Sequence, residues 1–192
     1  MLTVTVDDLW SWEPCAKWTP ARVNRIIRKY GAGQESWDVY DILNLEEVEH
    51  LDRMWLILRP EVLPIDVLHE LSWRFTEHIL PFWKIDDNLP YEVVEFKKHG
   101  EGRCAGILRD RIAAYELPDP WDAILRMAWY TLIKHPCSSV YSIAREAVWV
   151  TEHLVPGGSD YEERWQREVI DECLSRMLQQ GHVTGVSSVL PQ

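Results

Sequence analysis

His69-Glu70 could open a zinc-binding H-E-x-x-H helix, in which two imidazoles one turn apart share a face and the glutamate acts as base, but position 73 is Trp and the second ligand is missing. Glu47-x-x-His50 has the i, i+3 spacing found in di-iron carboxylate bundles. Those sites need a second such pair and two further inward glutamates, and the chain has no second pair. Cys104 or Cys137 could act as a nucleophile only beside a partnered imidazole in an electropositive niche, and nothing in the spacing brings His99 or His135 to either thiol. Ser138-Ser139 reads as the cap of the following helix. The residue types therefore predict no catalytic group, no metal and no cofactor.

Carboxylates and tryptophans remain. Asp and Glu number 31 against 20 Lys and Arg, giving a net charge of −11, and eleven of the 192 residues are Trp. So acidic a chain is a poor match for phosphate backbones, which call for a basic surface, and direct nucleic-acid binding is not expected. It suits a partner protein with a basic surface. Most of the indoles are expected to fill the core. Two acidic clusters have few basic neighbours in sequence: Glu46, Glu47, Glu49 and Asp52, and Asp86-Asp87 beside Phe82 and Trp83. With Trp83 as an exposed aromatic anchor, Glu46, Glu47, Glu49, Asp52, Asp86 and Asp87 form the candidate partner-binding set. The competing reading of Asp86-Asp87-Asn88 is a turn that caps the next helix. A third cluster, Asp160, Glu162, Glu163, Glu168, Asp171 and Glu172, is interleaved with Arg164, Arg167 and Arg176 and reads as a solvated helix face.

The elements that carry these groups are punctuated by proline and glycine. Thr19-Pro20 reads as N-cap and first helical residue, with Gly31 as the stop. Ser36 is expected to cap a short helix, and a further helix is expected from about Glu46. Pro64 opens a long helix with Leu68, Leu71, Phe75, Ile79 and Phe82 on one face. Helices are expected after Pro90 with Gly100 as the stop, from Cys104 to Tyr115, after the Asp119-Pro120 cap, and over the stripe Val140 to Leu154, with Pro136 and Pro156 as breaks. Ser159 and Glu162 predict a capping box for the last helix, which ends at Gly181 before a short tail. Only Leu2 to Val6 alternates like a strand. The phrase T-E-H-[IL]-[LV]-P occurs at Thr76–Pro81 and again at Thr151–Pro156, but the flanks do not align and the repeat reads as coincidence.

The pattern predicts an all-α fold: one domain over 1–192, a compact multi-helix bundle of antiparallel helices joined by short Pro/Gly loops. The cysteines Cys15, Cys104, Cys137 and Cys173 are scattered and form no C-x-x-C pair, as expected of buried thiols in a reducing compartment. With no apolar run that could span a bilayer, the expected location is the cytoplasm, without membrane association.

Several short motifs, in order, resemble a family of small helical immunity proteins of bacterial and phage toxin systems. They are Trp12-Glu13-Pro14-Cys15, Leu51-Asp52-Arg53-Met54-Trp55 leading to Leu58-Arg59-Pro60, Arg74 to Pro81, and Asp86-Asp87-Asn88 followed by Pro90 and Gly100-Glu101. The similarity covers roughly the first hundred residues. After Arg103, where the family continues into alanine-rich helices, this chain carries Trp121, Trp129, Trp149 and Trp165. The resemblance implies a non-enzymatic inhibitor and transfers no catalytic residue. The expected function is a protein-binding inhibitor that blocks its partner by occlusion with an acidic and aromatic surface, with homo-oligomerisation left open. The alternative is an acidic nucleic-acid mimic or phage counter-defence protein.

Overall fold

Short capping side chains decide where the first helices begin. The computed structural model describes residues 2–30, 35–99, 105–133 and 139–179. Cys104, Cys137, His135, Pro136, Ser138, the stops at Gly31, Gly100 and Gly181, and the tail lie outside the described residues. The fold is all-α and multi-helical, with one two-stranded sheet among the described residues. These residues group into two compact units, one running through Ile57 and including the helical segment from Asp171, the other spanning Leu58–Ile170.

In the first unit, β1 (Thr3–Thr5) pairs antiparallel with β2 (Ser36–Asp38), placing Val4 opposite Trp37. Thr5 then starts α1 (Val6–Ser11) through a capping box: its hydroxyl oxygen accepts from Asp8 N at 3.0 Å, and its own N–H donates to Asp8 Oδ2 at 2.8 Å. Thr19 Oγ1 accepts from Arg22 N at 3.3 Å and opens α2 (Pro20–Tyr30) at the expected proline. Asp38 accepts from Asp41 N at 2.8 Å and opens α3 (Val39–Leu43); α4 follows at His50–Ile57. Trp18, Val23, Leu45 and Val48 form a small core, with Leu9, Ile26 and Ile27 packed against it only in part.

The second unit is built from α5 (Ile65–Ile79), a 3-10 turn at Leu80–Phe82, α6 (Leu89–His99), α7 (Ala105–Ala113), α8 (Trp121–Thr131), α9 (Ser139–Leu154) and the first part of α10 (Gly158–Gln179). Helices α5, α8 and α9 pack on one another, α6 packs on α5 and α8, and α7 on α6. Four of the five residues expected on the α5 stripe, Leu68, Leu71, Phe75 and Ile79, are 0% exposed, as are Ile124, Met127 and Ile143 on the helices packed against α5, whereas Phe82 falls in the 3-10 turn after the helix and is half-buried. Ala123, Ala128, Ala144 and Ala147 are equally buried and allow close helix approach. The hydroxyls of Thr76 and Thr131 meet at 2.8 Å, tying α5 to α8; with Thr76 donating to Ser72 O one turn back, the proton between the two hydroxyls is that of Thr131. Gly158 begins α10 so close to the preceding helix that a Cβ there would lie 2.2 Å from Thr151 O.

Several sequence expectations are corrected. Ser36 begins a strand instead of capping a helix, because β1 offers it a partner; the cap is Asp38. Glu46 to Glu49 precede α4 and form a turn, so Glu47 and His50 do not share a helical face. Pro120 occupies the N-cap of α8 without a side-chain cap bond, while Asp119 faces Arg126 at 3.5 Å. The capping box of Ser159 and Glu162 does not form, since the helix already starts at Gly158. Nor do most tryptophans fill the core. Trp18 and Trp83 are buried, Trp10 and Trp129 are exposed, and the other seven are half-buried, as suits a large ring with a polar edge.

Candidate functional site

The corner between α5 and α6 carries three of the predicted site residues, and it divides them. Pro81 sits in the 3-10 turn, Trp83 N donates back to Leu80 O at 2.9 Å, and the indole of Trp83 folds inward to 7% exposure. Its Nε1 donates to Asp87 O at 2.7 Å. Trp83 is therefore not the exposed anchor that its neighbours suggested: a ring this size finds a core to fill, and its N–H finds a carbonyl there. Asp87 is equally committed to the fold. Its Oδ1 accepts from Leu89 N at 2.7 Å, capping α6, and faces Arg111 Nη2 at 3.4 Å, while its Oδ2 accepts from the hydroxyl of Tyr115. The Tyr115 hydrogen bond, followed by the Leu89 amide and the Arg111 charge, holds the Asp87 carboxyl below its usual range despite some opposing desolvation. Arg111 also pairs with Glu92 at 2.6 Å, closing a network across the corner, α6 and α7.

Asp86 is exposed and, among the described residues, has no ion pair or hydrogen bond. The exposed aromatic here is Tyr91, 42% accessible, with its hydroxyl donating to Leu80 O at 3.1 Å. That bond anchors the far end of the ring and leaves the rest accessible. Tyr91 was missed because it sits on the predicted helix, one residue past its proline, where it reads as an ordinary helical aromatic.

The other acidic cluster is more compensated than its sequence neighbourhood implied. Lys29, eighteen positions away, pairs with Glu47, and Lys17 reaches both Glu49 and Asp52 at 2.8 Å. Bonds from Asp52 first and Glu49 second push Lys17 up to about 12, and Lys17 in turn lowers Glu49. Glu46 is exposed and unpaired among the described residues.

Among the described residues, the most deeply buried acid lies outside the predicted site set. Glu162, read as part of a solvated face, has a 0% exposed side chain in the second unit. Its Oε2 lies 3.3 Å from His78 Nε2, and its Oε1 accepts from Gln166 Nε2 at 2.9 Å; the Gln166 amide also donates to Ala144 O at 2.9 Å. The imidazole of His78 lies flat on Trp165, centroids 3.7 Å apart and planes 9° apart, with Tyr161 beyond at 5.8 Å. A paired imidazole and carboxylate can orient a general base. Among the described residues, however, His78 makes no hydrogen bond to a serine, threonine or cysteine that it could activate. The same stretch shows that the T-E-H phrases play parallel parts. Thr76 and Thr151 are both buried and donate to the carbonyl four residues back at 3.0 Å, and each histidine packs on a tryptophan, His78 stacked on Trp165 and His153 tilted by 34° against Trp149.

Among the described residues, no group of three or more His, Cys, Asp and Glu side chains is arranged to hold a metal ion. No helix among them is long and apolar enough to cross a membrane. No family model, curated protein or solved structure matches this chain.

Proposed function

We propose that this chain is a non-enzymatic inhibitor, immunity-like in character, that binds a partner protein with a basic surface and blocks it by occlusion. The observation that supports this most is the corner at Asp86 and Tyr91. The corner and the start of α6 expose a carboxylate without an ion pair among the described residues and an aromatic ring whose hydroxyl is already tied down, so little freedom of that ring is lost when a partner covers it. The net charge of −11 supplies the long-range attraction that would speed the encounter. Glu46 adds a second exposed carboxylate. Glu47, Glu49, Asp52, Trp83 and Asp87 contribute less to this reading than the sequence suggested, because each already has a partner inside the protein.

The test begins with capture of the partner from the native host and its identification by mass spectrometry. Association rates are then compared for wild type, Asp86→Lys and Tyr91→Ala. Asp86→Lys should slow association several-fold at low salt, with the difference shrinking at high salt as the Debye length contracts. Tyr91→Ala should mainly speed dissociation. Unchanged rates for both variants would remove this corner as the contact surface.

A further inference from the structure

The first unit encloses a cavity of about 70 Å³ that opens to solvent on one side. Its wall draws on both strands and on α1 to α4. Three tryptophans, Trp18, Trp37 and Trp55, line it, and each is held by a contact of its own. The Arg22 guanidinium lies 4.4 Å over the Trp18 ring, Trp55 meets Trp12 edge-on at 6.4 Å, and the backbone of Trp37 is held in the β1–β2 pairing opposite Val4. The remaining wall is almost entirely aliphatic, and several of its side chains, Leu9, Ile26, Ile27 and Leu56 among them, are only half-buried. Native interiors leave few voids of this kind, and an apolar one stays dry or takes an apolar guest.

Apart from the indole nitrogens, the polar side chains on the wall are Thr5 and Asp52. The Thr5 hydroxyl donates to Asp8 Oδ2 at 2.7 Å, and the Asp52 carboxylate is neutralised by Lys17 Nζ at 2.8 Å. With the rest of the wall aliphatic or aromatic, the guest that fits its depth is hydrocarbon. Size selects its shape. An apolar cavity of roughly 150 Å³ admits benzene, so a hollow of about half that volume takes a ring only in part but takes a narrow chain along its length. The charges nearest the wall are matched: Asp52 shares Lys17 with Glu49, and the Arg22 guanidinium that lies over the Trp18 ring also acts on Glu49, so no uncompensated charge is left for a charged head group.

We infer that this cavity is a binding site for the alkyl chain of a small ligand with an uncharged head group. This inference is independent of the protein-binding reading above. The test titrates the full chain with linear alcohols from propanol to octanol and follows the assigned indole N–H resonances by NMR. Saturable shifts should concentrate on Trp18, Trp37 and Trp55, with affinity rising about three- to four-fold per added methylene until the chain outgrows the cavity. Leu9→Phe and Ile26→Phe each fill the hollow from a half-buried position, so either variant that keeps its helical circular dichroism should bind hexanol at least about tenfold more weakly. Hexanoate should bind wild type more weakly than hexanol. The inference is overturned by non-saturable shifts spread evenly over all the indoles, by unchanged affinity in a folded filled variant, or by hexanoate binding as well as hexanol. The wild-type series and the head-group comparison decide the matter even if neither variant folds.

Discussion

The two interiors differ in how completely they close. In the second unit, α5, α8 and α9 bring Leu68, Phe75, Ile124, Met127 and Ile143 to zero exposure, and Thr76, Thr131 and Gln166, buried with them, have hydrogen-bonded partners. In the first unit, helices of five to eleven residues surround a hollow, and Leu9, Ile26 and Ile27 are buried only in part. Length explains much of this. A helix of fifteen or sixteen residues presents four turns of apolar stripe to its neighbours, whereas α3 and α4 present one or two before they end. Close packing fixes a single arrangement; incomplete packing leaves room for something else to complete it.

The contrast can be probed most strongly with isoleucines from the two regions. Ile124→Ala removes a side chain with no exposed surface and should cost about 2–5 kcal/mol in urea unfolding. A cost below 1 kcal/mol would mean that the second interior is looser than its packing indicates. Next in size is Glu162→Ala, expected to cost about 1–3 kcal/mol because the Gln166 amide loses its side-chain acceptor in a buried setting and the His78 ring loses the carboxylate 3.3 Å away. Glu168→Ala, exposed on the same helix, should stay within about 0.5 kcal/mol and serves as the control.

Asp87→Asn should cost about 1 kcal/mol at neutral pH. The direction of its pH dependence is fixed: because the fold depresses the Asp87 pKa, its contribution is present above the ordinary carboxylate value of 3.8 and is lost as pH falls through the lowered one. Unfolding curves of wild type and variant should therefore converge towards pH 2, and a constant gap would deny the carboxylate its role. The smallest effect belongs to Ile26→Ala on the cavity wall, which should cost under about 1 kcal/mol because that side chain is half-exposed and already borders empty space. A loss matching that of Ile124→Ala would erase the distinction between the two interiors.

Much of the helical framework was legible because its signals are local. Thr19-Pro20 and the α5 stripe each need only a few neighbouring residues to be read, and both hold. What could not be read depends on pairings distant in sequence. Ser36 joins a strand because Thr3–Thr5 lies beside it, a partner thirty-odd residues away that propensity does not register. Lys17 and Lys29 compensate an acidic cluster that has few basic residues nearby in the chain. Glu162 reads as solvated among arginines until α5 brings His78 to it. At the predicted corner the local alternative held: Asp87 does cap the next helix, and Tyr91, not Trp83, is the aromatic left in the open.

The absence of a side chain at Gly158 has a consequence of its own. With the carbonyl of Thr151 occupying the space where any other residue would need its first carbon, the bend between α9 and α10 tolerates one amino acid out of twenty at that position. Even alanine would have to prise the two helices apart at their junction, so a mutational scan should register position 158 as intolerant for want of space and Gly157, at φ +70°, as restricted by its backbone, while solvent-facing Pro156 accepts many replacements.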